Sequence, residues 1–340
     1  MPSRRNSAFL VCEDVPYGMR ECFIVSRYRR PNSTVMECLR SIFLPTNETF
    51  NFWTHYIPLL FFLYKFYHFL FKNMEFSYDH PFLLPMWCFA FGVSVVLAES
   101  CAAHVFNCLS LQIRETFYYM DYVAWNFYGF GSAIACCYYI FPLLTVMNPT
   151  LVTQLLEQNG RCTEYSILVK LYSVLCIPVT FLLLIFCTIA ICKSYLDWAR
   201  YRYVIRAIVF AIPLSVTVPI AIDTVFFELY RKNPIIFFHF CRQRTWLLLA
   251  IVFNVSRIPE RIWPGQFDVI GQSHQWFHLF SFLTIYDQLC YFEYGFNSLV
   301  KSPSTFPLFA DTMGAMLLLL VSFALVIKRF AKYPPACVQN

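Results

Sequence analysis

The stretch Ser273–His278 reads Ser-His-Gln-Trp-Phe-His and opens a long apolar run near the end of the sequence. On a helix, His274 and His278 lie one turn apart on the same face, with about 5–6 Å between their Cβ atoms, so both rings can reach one metal ion. Such a pair is also typical of interfacial histidines, whose amphipathic rings lie at the level of lipid headgroups. A third histidine elsewhere in the chain shifts the balance between these interpretations.

The composition of the chain is that of a membrane protein. Of the 340 residues, 59% are hydrophobic and 14% are charged, whereas a soluble domain carries about 25% charged residues. The basic residues fall in patches between apolar runs, so the net charge of +6 indicates membrane orientation and no nucleic-acid partner. Most of the 15 cysteines lie in or beside apolar runs and are typical of small buried hydrophobic residues.

The apolar windows predict an all-α integral membrane protein. Eight windows are long enough to cross about 30 Å of hydrocarbon. The sixth is the weakest, because its strongly apolar part is short and two arginines precede it. The windows are 53–71, 82–106, 118–142, 170–192, 204–227, 244–258, 274–296 and 306–328.

The spans divide the chain into four parts, with the N-terminus in the cytosol. That orientation puts most Lys and Arg residues on the inner side, as in other membrane proteins, although the basic segment 228–244 then lies outside. A short amphipathic helix is predicted around 34–43. The parts are a cytosolic N-terminal segment at 1–50, a seven-span core at 51–296, a loop and eighth span at 297–328, and a basic cytosolic tail at 329–340.

Under this orientation, spans two, three and seven present four polar residues at one depth in the inner leaflet: His104, Asp121, His274 and His278. Three neutral imidazoles plus a water form an open, catalytic type of zinc site, whereas a structural site is closed by a fourth protein ligand. Asp121 is either a direct ligand or, as we favour, a carboxylate hydrogen-bonded to that water. The hydroxyl of Ser100, one turn before His104, either points toward the site or bonds a carbonyl one turn back.

Several motifs resemble those of the progestin and adipoQ receptor (PAQR) family, in order and with the family's spacing over about 28–296. The first, Glu48-Thr49-Phe50-Asn51-Phe52-Trp53-Thr54-His55, matches the signature E-x-x-N-x-W-T-H. The others are Tyr28-Arg29-Arg30-Pro31, Ser100-x-x-x-His104, Asp121-Tyr122, Arg257-Ile258-Pro259-Glu260-Arg261 with Pro264-Gly265 and Phe267-Asp268, and Ser273-His274-Gln275-x-x-His278.

The resemblance implies a seven-helix bundle with a cytosolic N-terminus and a Zn²⁺ ion near the cytosolic face. By residue-to-residue match, the zinc ligands are His104, His274 and His278, and the partners of the zinc water are Asp121 and Ser100. The eighth apolar run, Phe306 to Ile327, and the segment before His274 resemble the membrane progestin receptor branch of the family.

The remaining motif residues are interpreted as structural. Glu48, Asn51 and His55, beside Trp53, are expected to join the cytosolic ends of the helices, with His55 as a fourth zinc ligand being the alternative. The segment Arg257–Arg261, with Pro259 and Glu260, is expected to form a rigid, salt-bridged turn that positions span seven, with phosphate binding as its alternative.

These patterns leave several functions open. The resemblance implies a plasma-membrane receptor that binds a steroid, with a G protein as a candidate cytosolic partner. The open zinc site also fits an enzyme, a zinc-dependent hydrolase of lipid amides such as ceramide, in which Asp121 is the general base. A third interpretation is a purely architectural zinc that ties three spans together. The residues that bind the steroid or lipid are not assigned.

Overall fold

The computed structural model describes residues 9–72, 77–155, 162–196, 205, 209 and 212–330. These residues form helices and turns, with one isolated backbone bridge between Leu10 and Tyr28. The all-α prediction is therefore confirmed for this part of the chain. Arg200, Arg202 and Arg206, which the predicted orientation puts on the inner side, and the tail from residue 331 onward lie outside it.

The α-helices are numbered here in chain order. The first, α1, begins with a capping box, in which Thr34 and Glu37 bond each other's backbone N–H groups. The hydrogen bonds from Thr34 lower the pKa of Glu37. The bounds are α1 Val35–Ser41, α2 Thr49–Phe71, α3 Leu84–Phe106, α4 Leu111–Ala135, α5 Pro149–Leu155, α6 Cys162–Leu196, α7 Val218–Phe226, α8 Leu229–Lys232, α9 Pro234–Ser256, α10 Ser273–Leu299 and α11 Ala315–Phe330.

Four of the described helices are long and apolar enough to cross a membrane. Together with the composition, they identify a helical membrane protein. Further long helices, α2, α4 and α10, lie at the predicted first, third and seventh spans. The count of eight spans and the cytosolic N-terminus stay predictions. The four helices cover Pro81–Phe106, Glu164–Ser194, Pro234–Ser256 and Ala310–Phe330.

The sixth predicted span differs from the structure in its start. Helix α9 begins at Pro234 rather than at residue 244, so the basic segment 228–244, which the apolar windows leave between two spans, is largely helical. Proline favours the first turn of a helix, because that turn needs no N–H at this position. Arg242, which weakens the hydropathy of this segment, contacts the fully buried carboxylate of Asp287, with Nε 3.4 Å from Oδ2.

The chain forms two compact units. The first comprises Met1–Phe61, Leu97–Asp121 and Gln243–Ile285. Here the Asp268 carboxylate accepts hydrogen bonds from the backbone N–H groups of Val25 and Ser26 at 3.1 and 2.7 Å, and Arg29 donates to the carbonyls of His104 and Val105. The N-terminal segment is thereby attached both to the loop before α10 and to the end of α3.

The second unit comprises Phe62–Val96, Tyr122–Arg242 and Tyr286–Asn340. Its core contains buried side chains of α3, α4, α6 and α11, with Phe130 and Leu184 among them. Helices α3 and α4 approach closely at Gly131, where an added Cβ would lie 2.4 Å from the carbonyl oxygen of Cys88. Only glycine fits this contact, as is common where membrane helices pack backbone to backbone.

A methyl group at Gly131 is expected to force α3 and α4 apart. Gly131→Ala should lower the free energy of unfolding by about 1–3 kcal/mol, as overpacking does in other cores, and it should lower the Tm in detergent. The matched control is Gly129→Ala on the same helix, whose Cβ would meet a side-chain carbon of Pro213 at 3.1 Å. An equal or greater Tm loss in the control would contradict the proposed contact.

Candidate metal centre

The first unit brings together the three histidines that the sequence analysis selected. His104 lies at the end of α3, and His274 and His278 lie in the first turns of α10. The Nε2 atom of His274 is 3.3 Å from Nε2 of His104 and 3.1 Å from Nε2 of His278. One nitrogen from each ring lies within 4.8 Å of the other two, and His104 and His278 are buried.

The outer nitrogen of two of these rings faces an acceptor. His104 Nδ1 is 2.8 Å from Glu48 Oε2, and His278 Nδ1 is 3.1 Å from the carbonyl oxygen of Asn51. A neutral ring bonded in this way carries its hydrogen on Nδ1, which leaves a lone pair on Nε2. Two Nε2 lone pairs therefore converge on His274, whose single N–H can serve only one of them.

A cation resolves this conflict, so the donor set fits a zinc ion. In a tetrahedral site with Zn–N bonds of about 2.0–2.1 Å, neighbouring nitrogens lie about 3.3 Å apart. The two distances in the structure, 3.3 and 3.1 Å, are close to that value. A carboxylate and a carbonyl on the outer nitrogens are also the usual partners of zinc-binding histidines.

Glu48 connects this centre to its surroundings. Glu48 is 5% exposed, and its side chain accepts hydrogen bonds from Asn51 Nδ2 at 2.9 Å and Asn107 Nδ2 at 3.0 Å, besides the contact with His104. Burial raises the pKa of the Glu48 carboxyl, but the hydrogen bonds from His104 and Asn51 and the charge of Arg29 lower it, so the net pKa lies well below its ordinary value. The carboxylate is thus held ionised beside the ring that it orients.

Asp121 and Ser100, the two predicted partners of the zinc water, have different surroundings in the structure. Asp121 lies on α4, and its Oδ1 is buried without a hydrogen-bond partner among the described residues. The hydroxyl of Ser100 lies 2.6 Å from His55 Nδ1. The His55 ring stacks on the His278 ring with a centroid distance of 3.6 Å, and His55 is not part of the converging donor set.

The loop before α10 positions the first residue of that helix. The carboxylate of Glu260 accepts hydrogen bonds from the backbone N–H of Ser273, at 2.7 Å, and from the Ser273 hydroxyl. Pro259 follows a cis peptide bond, and Arg257 has a positive φ of 57°. Glu260 thus contacts the start of α10, where a helix offers a free N–H, and the expected salt bridge within this turn stays a prediction.

Three partners of the centre were not found by sequence reasoning. Thr54 Oγ1 lies 2.9 Å from His278 Nδ1, Asn107 donates to Glu48, and Arg29 holds the last carbonyls of α3. The only feature of the sequence that pointed to Thr54 is its position beside His55 in the first motif. Trp53, from the same motif, lies against α1 instead, where its Nε1 donates to the carbonyl of Ile42 at 2.9 Å.

Comparison with known proteins finds matches to most of the chain. A family model described as haemolysin-III related matches residues 43–289. The chain is 32% identical over 283 residues to membrane progestin receptor gamma-B of Danio rerio, which covers 81% of this chain and 78% of the relative. The human gamma receptor is 31% identical over 289 residues (82% and 78%), and the mouse delta receptor is 29% identical over 302 residues (85% and 79%). All three matches extend over most of both chains.

The purified chain is expected to contain about one zinc ion, which elemental analysis can measure. His104→Ala and His274→Ala should each lose the ion, because two imidazoles and a water hold zinc poorly. The milder change Glu48→Gln should weaken zinc affinity about 10–100-fold, as the loss of an outer-shell partner does elsewhere.

The matched control for these variants is His68→Ala, an exposed histidine of α2 in the second unit. Its zinc content should equal that of the unchanged protein. Folded protein with no zinc, or equal zinc in His104→Ala and in the control, would contradict a metal site at these residues.

Proposed function

Because the chain belongs to the haemolysin-III-related, or PAQR, family, we propose that it is a membrane receptor for a progestin-type steroid with a zinc ion in its histidine centre. The observation that carries the proposal is the similarity to membrane progestin receptors over about four fifths of the chain. In this proposal the protein lies in the plasma membrane with its N-terminus in the cytosol. A G protein is the candidate partner on that side.

The residues proposed to hold zinc are His104, His274 and His278. Glu48 would keep the hydrogen of His104 on Nδ1, and the Asn51 carbonyl would do the same for His278. When bound in an open site of this kind, zinc supplies Lewis acidity and activates water near neutral pH. Since the three ligands come from α3 and α10, binding would also fix those helix ends together.

A second candidate function, hydrolysis of a lipid amide such as ceramide, is favoured by Asp121. Asp121 Oδ1 is buried without a hydrogen-bond partner among the described residues. Burying such an atom costs free energy, and ionisable groups in this situation are often functional. Asp121 would take a proton from the water that attacks the amide carbonyl and would return it to the departing amine. The receptor and hydrolase functions are compatible, because both need a lipid-like molecule beside the centre.

The receptor proposal predicts saturable steroid binding. Membranes from cells that express the chain should bind labelled progesterone above the level of vector-control membranes, and unlabelled progesterone should displace the label. Binding that does not exceed the control would contradict the proposal, even if the zinc content is as expected.

The hydrolase proposal predicts release of fatty acid from ceramide by the purified chain. Asp121→Asn should lower the rate about 100-fold or more, which is the typical contribution of a general base. His278→Ala should abolish the activity. The matched control is Asp311→Asn, an exposed aspartate of the second unit. Turnover that is unchanged in Asp121→Asn would contradict the assigned role.

A further inference from the structure

We infer that His55 donates a hydrogen bond from Nε2 to an oxygen atom of the molecule bound beside the histidine centre, and that Ser100 fixes the tautomer that makes this possible. The inference rests on the proposed function, because it concerns a ligand of the same site. It gives His55 a binding role, distinct both from a zinc ligand and from a residue that only joins helix ends.

The two ring nitrogens of His55 have different surroundings. His55 is 1% exposed, and its Nδ1 lies 2.6 Å from the hydroxyl of Ser100. Its Nε2 is buried and has no hydrogen-bond partner among the described residues. A buried polar atom without a partner pays its full desolvation cost, so native structures rarely keep one without a reason.

The direction of the hydrogen bond between Ser100 and His55 determines the tautomer of the His55 ring. Serine hydroxyls on membrane helices often donate to the carbonyl one turn back, as Ser94 of α3 does to Ala90 at 2.8 Å. Ser100, on the same helix, has His55 Nδ1 as its hydrogen-bond partner in the described structure. If the hydroxyl donates to Nδ1, the neutral ring carries its hydrogen on Nε2. The unpartnered atom is therefore an N–H donor that needs an acceptor.

The His55 ring packs against one ring of the histidine centre. The His55 ring is nearly parallel to the His278 ring, with an interplanar angle of 16° and a centroid distance of 3.6 Å. His278 directs Nδ1 to the Asn51 carbonyl and Nε2 into the histidine centre. His55 therefore lies directly beside the centre without belonging to its donor set. A nitrogen that carries hydrogen cannot bind a metal, which agrees with that placement.

The partner that His55 Nε2 lacks must be a hydrogen-bond acceptor. On α2, Asn51 lies one turn before His55, and its Oδ1 is likewise buried without a hydrogen-bond partner among the described residues. The helix thus presents one donor and one acceptor to the interior. A carbonyl oxygen satisfies the donor, and both a steroid ketone and a lipid amide carry one. A buried water could also satisfy it, and the experiment below distinguishes these cases.

The test compares His55→Phe and His55→Gln with the unchanged protein. Phenylalanine keeps a ring against His278 but removes the donor, whereas glutamine keeps an N–H donor. The variants are reconstituted in lipid nanodiscs, and the binding of labelled progesterone and of a short-chain ceramide is measured beside the zinc content. The matched control is His68→Phe, an exposed histidine on the same helix.

The expected result is that His55→Phe retains its zinc but binds the probe about tenfold more weakly, and that His55→Gln recovers part of the loss. In protein labelled with ¹⁵N-histidine, the probe should shift the Nε2–H resonance of His55. Ser100→Ala should change the tautomer pattern of that ring. The control His68→Phe should bind the probe as the unchanged protein does.

Four outcomes would overturn the inference. They are unchanged probe affinity in His55→Phe, loss of zinc in His55→Phe, a bound probe that leaves the Nε2 resonance in place because only water contacts it, and a protein that binds neither probe. Binding of ceramide but not progesterone, with the expected His55 dependence, would reject the receptor proposal and support the inference. Progesterone binding that is unchanged by the His55 substitutions would support the receptor proposal and reject the inference.

Discussion

The hydrogen bond between the Glu48 carboxylate and His104 Nδ1 is the interaction on which the candidate site depends. Glu48 is only 5% exposed, and a buried carboxylate costs several kcal/mol unless donors surround it. Here the donors come from α2, through Asn51, and from the end of α3, through His104 and Asn107. Because losing one of them would leave a buried charge uncompensated, the ends of the two helices are fixed together, and the Nε2 lone pair of His104 is directed toward His274 and His278.

Sequence reasoning could predict the three histidines because each depends on simple geometry. The spacing of His274 and His278 places both on one face of any helix. The predicted alternation of spans across the membrane puts His104 at the same depth, even though 170 positions separate it from His274. The family motifs strengthened that selection. The helices themselves followed from apolar windows, since a chain with 59% hydrophobic residues has little else to form in lipid.

What the sequence could not supply is the rotation of each helix and the partner of each polar side chain. Ser100 was expected near the water of the site, yet its hydroxyl contacts His55, because α2 turns that ring toward α3. The start of α9 was misplaced for a similar reason. A hydropathy window counts Arg242 as a cost, whereas in the folded chain the buried carboxylate of Asp287 is shared between Arg242 and His239. Pairing of this kind depends on the tertiary structure and is invisible to a window.

The distribution of unsatisfied polar atoms connects the receptor and hydrolase functions. Among the described residues of the first unit, Asn51 Oδ1, His55 Nε2 and Asp121 Oδ1 are buried without hydrogen-bond partners, as is Glu99 Oε2. The first three belong to the motifs that carry the family resemblance. Folding that leaves such atoms unpaired is costly, so we expect a polar group of a bound molecule to satisfy them. A steroid and a lipid amide both bring a carbonyl oxygen into apolar surroundings. The two proposed functions would therefore share their recognition step and differ only in whether Asp121 then moves a proton.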